Sequence, residues 1–230
     1  MGYVILAGDP PIEIALRRSA RSRRLSLRVS HLDGRVTMSL PKWTSNGEAL
    51  EFARQKETWV RKNLAARPEM VLPQIGGSIA FRGDQIPIIA GGGRGARLID
   101  GQLFVPNDPS KTASRVAAFL KVTARQYLAE ASDRHAATLG CKYGRMTLRD
   151  TRSRWGSCTA EGDLMYSWRL IMAPPEVLDY VAAHEVAHLV EMNHSAAFWA
   201  IVDRIFPNHA PVRKWLRLNG QLLHAVKFVD

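Results

Sequence analysis

The sequence predicts an α+β fold: a β-rich first part over residues 1–109, then a helical part over 110–230 that carries one small antiparallel sheet. Three observations predict it. Short period-two runs separated by glycine turns fill the first part, which is how half-buried strands read. A long 3.6-period segment begins near Ser110, as an amphipathic helix requires. Two prolines, Pro174 and Pro175, then open a second apolar helix, a position where proline is tolerated because its missing N–H has no helical partner.

In order along the chain, Leu25, Leu27 and Val29 alternate with Ser26, Arg28 and Ser30. Beyond Asp33-Gly34, Val36, Met38 and Leu40 alternate with Arg35, Thr37 and Ser39, which predicts a hairpin with one buried face. Ser45 and Glu48 form a capping box that starts a helix running to about Ala66, with Ala49, Phe52, Ala53, Val60 and Leu64 on its apolar side. The stretches SIAFRG, IPIIA, ARLID and QLFVP read as short strands. Between them, GGGRGA (91–96) lacks a following Lys-Ser/Thr and leads into a strand, so it reads as a flexible hairpin turn and not a phosphate loop.

The helix from Ser110 places Val116, Leu120, Tyr127, Leu128 and Ala131 inward and closes at Gly140. MTLRD reads as a strand, and RSRWGSCTAEGDLMYSWRL as two strands joined at Glu161-Gly162. Two further helices are expected near 195–205 and 209–223.

Composition narrows function without choosing it. The 230 residues carry 32 Lys and Arg against 21 Asp and Glu, a net charge of +11, which favours polyanionic partners, non-specific nucleic-acid contact among them, by long-range attraction. Cys141 and Cys158 match no metal or redox spacing, and such sparse usage suits a reducing cytoplasm. No apolar run of about 18 residues exists to span a membrane. The N-terminal MGYVILAGDPP lacks the basic leader of a signal peptide. Nothing in the sequence sets an oligomeric state.

The chemistry concentrates in HEVAHLVEMNH, residues 184–194. His184 and His188, four apart, share one helical face, so two imidazole nitrogens can converge on one ion at about 2.0–2.1 Å. Glu185 projects roughly 100° around the helix and reaches a metal-bound water better than the metal. His194 follows at a spacing that lets the chain turn back as third ligand, and Asn193 before it tolerates the left-handed conformation such a turn needs. Glu191 stands where the metzincin pattern has glycine. Three ligands leave one position for water, the catalytic arrangement of zinc, with Glu185 as base.

Around this motif, Arg152, Arg154 and Arg169 suit either an anion or carbonyl clamp on substrate or salt bridges within the sheet. Trp155, Trp168 and Trp199 are expected in the core, and Cys158 as a buried thiol. Glu191 and Asn193 are candidates to orient the imidazoles, while His135 and His209 have no partner by spacing.

RSRWGSC and then SWRLIMAPPEVLDYVAAHEVAHLVEMNHSAAFW resemble the YgjP-like metallopeptidase domain family, related to SprT- and WLM-type zinc peptidases of the zincin group. RRSARSRRLSLRV and EFARQKETWVRKNL fit its N-terminal half. The resemblance implies a zincin-like C-terminal helical domain, His184, His188 and His194 as Zn2+ ligands, Glu185 as catalytic base, and a peptide or protein substrate. It implies an alternative too, since the family name travels with nucleoside-triphosphate pyrophosphatase activity, which arginines would suit. A nucleic-acid-associated protein with structural zinc is the third reading. Ser167 is a local departure, standing where many relatives are expected to carry asparagine, and it bears on a hydrogen bond near the groove. An extended peptide is expected to add to an edge strand around Leu164–Trp168.

Overall fold

The structure is a computed structural model and describes residues 2–30 and 33–228. Two compact units divide it between Glu69 and Met70. The expected boundary at 109/110 follows a change in composition, whereas the compact units follow the apolar cores.

The first unit is a four-stranded sheet with two helices. β1 (Gly2–Leu6), β2 (Ile12–Arg18), β3 (Ser26–Val29) and β4 (Val36–Leu40) lie in the order β1-β2-β4-β3, with only β2 and β4 parallel. The predicted β3–β4 pair forms, and Val36, Met38 and Leu40 are buried as their alternation requires. Two positions of its connection, 31 and 32, lie outside the described residues. The expected single helix is two, α1 (Asn46–Gln55) and α2 (Glu57–Ala65), interrupted at Lys56, whose ψ of 7° departs from helical geometry. The Ser45–Glu48 capping box is present in full, satisfying two backbone donors reciprocally. Ala49, Ala53 and Val60 close this core against the sheet residues Leu6, Ile14 and Met38.

The second unit joins two small sheets to a helical layer around one core. β5 (Ser78–Phe81), β6 (Asp84–Gly91), β7 (Arg97–Ile99) and β8 (Gln102–Pro106) lie in the order β5-β6-β8-β7. Their buried residues Ile79, Ile88, Leu103 and Val105 belong to the same apolar cluster as the helices that follow, which is why the boundary falls upstream of them. The glycine stretch 91–96 leaves β6 for β7, two strands that do not pair, so it crosses over β8 and is not a hairpin turn.

α3 (Thr112–Leu139) buries Val116, Leu120, Leu128 and Ala131, and ends on Gly140 at φ 68°, the left-handed cap a residue without Cβ adopts freely. The third sheet holds β9 (Met146–Arg149), β10 (Gly156–Cys158) and β11 (Leu164–Ser167) in the order β10-β11-β9. β10 and β11 form the expected hairpin around Gly162, but β9 runs parallel to β11, so the sheet is mixed and not antiparallel. β11 is the central strand with both edges paired, which excludes the expected addition of a peptide around Leu164–Trp168. The free edge next to the helices belongs to β10. A 3-10 turn over Trp168–Met172 leads to α4 (Pro175–Ala187), and α5 (Ala196–Ile205) and α6 (His209–Asn219) follow. No helix among the described residues is long and apolar enough to cross a membrane.

Candidate metal centre

α4 is apolar almost all round because it runs through the core; Val177, Val181, Ala182, Ala183 and Val186 are buried. Against that background it places His184 and Glu185 in its last turn and His188 as its C-cap. The helix then tightens, with Leu189 and Val190 donating to the carbonyls of Val186 and Ala187, three residues back. The chain leaves the helix there and returns through His194 to α5. The expected left-handed residue at Asn193 is not used: the positive-φ residues other than glycine are Arg82, Asp100 and Asn208 among those described. Glu191 instead holds the turn, its side chain accepting from the Asn193 N–H at 3.2 Å. Ser195 caps α5 by accepting from Phe198 N–H at 3.3 Å.

The turn brings the three imidazoles together. One nitrogen from each of His184, His188 and His194 lies within 4.8 Å of the other two, and the Nε2 atoms of His184 and His194 are 3.0 Å apart. Tetrahedral ligands at zinc–nitrogen distances would sit about 3.3 Å from one another, so the cluster is of the right size. His188 Nδ1 donates to the Glu191 carbonyl at 3.0 Å, which fixes the tautomer and leaves Nε2 bare for a ligand. Burial first, then the neighbouring His188 and His194, push His184 down to about 3, and burial likewise lowers His188. Both are therefore neutral imidazoles at pH 7, the form that coordinates a cation. The His184 Nδ1 atom is buried without a partner among the described residues. The donor set and its spacing fit a single divalent metal.

Beneath the cluster lies Phe198, fully buried, its ring 4.9, 4.4 and 4.8 Å from the three imidazoles. Trp199 is beside it, 5.9 Å from His184, under the Arg213 guanidinium and stacked on His209. Phe198 gave no signal in the sequence, being one apolar residue of an apolar helix.

Glu185 is 6% exposed, and burial raises its carboxyl to about 8, with Arg154 pulling the other way. It faces β10. A Cβ added at Gly156 would stand 2.5 Å from Glu185 Cγ and Oε1, so only glycine lets the strand and the carboxylate approach this closely. Cys158, next but one along β10, is half-buried; burial first and then Glu185 push its thiol up to about 11, which leaves it protonated and inert.

The other sequence candidates resolve as follows. Arg169 is a structural residue: its guanidinium pairs with Asp150 at 2.6 and 3.1 Å and donates to the Leu223 and Val226 carbonyls. Arg152 and Arg154 are exposed and make no ion pair among the described residues. Trp168 is buried as expected, and Trp155 stacks on His224. The Ser167 hydroxyl is buried with no partner among the described residues. His135 and His209, which showed no partner by spacing, both have one: His135 meets Asp179 from α4 at 2.7 Å, and His209 meets Asp203 from the end of α5 at 3.1 Å.

A buried glutamate beside three convergent imidazoles on and after one helix is the arrangement of a metal-dependent hydrolase. The chain belongs to the YgjP-like metallopeptidase domain family, whose model matches residues 23–219. Membership makes it a metallopeptidase by class and implies a divalent metal. Among solved structures, the crystal structure of the metallopeptidase zymogen abylysin from Pyrococcus abyssi is similar at 20% identity, covering 41% of this chain and 94% of its own, with a TM-score of 0.37. None of the curated proteins compared with the chain matches it.

Proposed function

We propose that the chain hydrolyses peptide bonds with zinc held by His184, His188 and His194, and with Glu185 as general base. The observation that carries this reading is the pairing of a three-imidazole cluster with a buried, proton-accepting carboxylate on the same helix. Zinc, when bound, supplies Lewis acidity toward a carbonyl oxygen and lowers the pKa of water. Glu185 would accept a proton from the water that adds to the carbonyl carbon and return it to the leaving amine as the C–N bond breaks; a carboxyl with a raised affinity for protons suits both steps near neutral pH.

The peptide adds as a strand to the free edge of β10. Trp155 accepts from Ser167 N–H, and Thr159 donates to the Asp163 carbonyl. By the alternation of an antiparallel ladder, the N–H and C=O of Gly156 and Cys158 then point away from β11, toward the incoming chain. Gly156 also faces Glu185, so a peptide paired there carries its scissile bond past the base.

The test compares two variants with the wild type on a peptide library and on nucleoside triphosphates. Glu185→Gln should keep about one zinc per chain and lose roughly 10²–10⁴ in turnover, the usual contribution of a positioned base. His194→Ala should lose metal and activity together. Full activity in Glu185→Gln, or turnover of triphosphates but of no peptide, overturns the reading.

A further inference from the structure

Two grooves flank the segment Arg154–Trp155 that leads into β10, and each carries cations that make no ion pair among the described residues. The first, about 510 Å³, lies on the outer face of the three-stranded sheet. Gly156 faces Glu185, so Ser157 points to the opposite face, where it lines this groove together with Thr147, Arg149 and Arg154. Its one carboxylate, Asp163, is already paired with Arg145 at 2.9 Å. The second groove, about 560 Å³, lies on the helical side between Trp155 and α6, and is lined by Arg213, Lys214 and Arg217 with no acidic residue. Arg149, Arg154, Arg213, Lys214 and Arg217 are all exposed, and none has an ion pair among the described residues.

We propose that the substrate is an acidic peptide, with carboxylate side chains on both sides of the extended chain seated in these two grooves. The proposal rests on the hydrolase reading above and names its substrate class. A strand added to β10 sends alternate side chains to opposite faces of the sheet. One set meets Arg154, where the first groove borders β10, and the other meets the α6 cations, of which Arg213 lies over Trp199 beside the metal cluster. Each groove is large enough to admit a carboxylate side chain. The separation of the grooves onto two sides of one strand favours peptide over nucleic acid, because a phosphodiester backbone presents its charges along a single line.

The test uses the full-length, metal-loaded Glu185→Gln protein, which retains an intact peptide. Labelled peptides of about nine residues, with Glu, Gln or Lys at the positions flanking the scissile bond, are titrated by fluorescence anisotropy beside a single-stranded oligonucleotide of similar charge. The Glu peptide should bind about tenfold tighter than the Gln peptide at low salt, the yield of two or three exposed ion pairs, and the preference should shrink as added salt screens them. In the Arg154→Gln/Arg217→Gln double variant the preference should fall to within about twofold, at unchanged metal content and melting temperature. Equal affinity for Glu and Gln peptides overturns the proposal, as does an oligonucleotide that binds tighter than the acidic peptide. Acid-selective binding combined with no cleavage of any peptide by the wild type supports this inference while removing the hydrolase reading on which its substrate role was built, so the two failures are distinguishable.

Discussion

Glu185 shares α4 with valines, alanines and His184, and its buried carboxyl is kept in place by a missing side chain on another element. Gly156→Ala puts a methyl group 2.5 Å from Glu185 Cγ, too near the root of the side chain to be absorbed by a terminal rotation. Displacing a base by about 1 Å costs on the order of 10²-fold in rate. On the proposed role of Glu185 as base, Gly156→Ala should therefore lose about that much turnover while keeping its metal content, which inductively coupled plasma analysis and a peptide assay on the same sample would check. Unchanged turnover would show that Glu185 is not held where the proton transfer occurs. Ser167 behaves in the opposite sense. Its hydroxyl is fully buried and unpartnered, so Ser167→Ala removes a desolvated polar group and leaves a well-packed methyl. Stability in urea should stay the same or rise by about 1 kcal/mol. A loss of that size would mean that the hydroxyl has a hydrogen-bond partner.

At the scale of elements, the position of α4 depends on the segments around it. The Trp168–Met172 turn that delivers α4 is tied down through Arg169, which is 8% exposed and joins Asp150 after β9 to the carbonyls of Leu223 and Val226 near the C-terminus. Arg169→Gln leaves the Leu223 and Val226 carbonyls without their charged donor and the half-exposed Asp150 without its cation. The expected cost is about 1–3 kcal/mol in chemical denaturation, since the carbonyls lose their donor while Asp150 can be rehydrated. A cost below about 1 kcal/mol would mean that the carbonyls find water or another donor. The element-level reading of the sequence succeeded where a pattern is local: the capping box of α1, the Gly140 cap, the alternation of β3 and β4. It failed where pairing is distant. The parallel approach of β9 to β11, the crossover at 91–96 and the central place of β11 depend on which strand comes to lie beside which, and periodicity carries no information about neighbours.

The whole molecule has two apolar cores, one confined to residues 4–60 and one drawn from residues 79–228, with no buried residue shared between them. Each core is built from its own unit's residues. Denaturant unfolding should show two transitions, with zinc released only in the one reported by Trp155, Trp168 and Trp199. A single transition in which zinc release coincides with the loss of all structure would overturn that independence. The sequence by itself determined the class of the protein, because the chemistry of HEVAHLVEMNH is set by spacing along one helix: two imidazoles one turn apart, a carboxylate beside them, a third imidazole after the turn. It also determined the α+β composition, since local periods of two and 3.6 are written residue by residue. Only the tertiary structure decided which residues serve that motif. Phe198 beneath the imidazoles, Gly156 opposite Glu185, the withdrawal of Arg169 from the groove and the free edge of β10 all come from contacts between segments far apart in the chain. Such contacts are fixed by how apolar faces of different elements share one core, a property of the assembled fold that no local stretch of sequence contains.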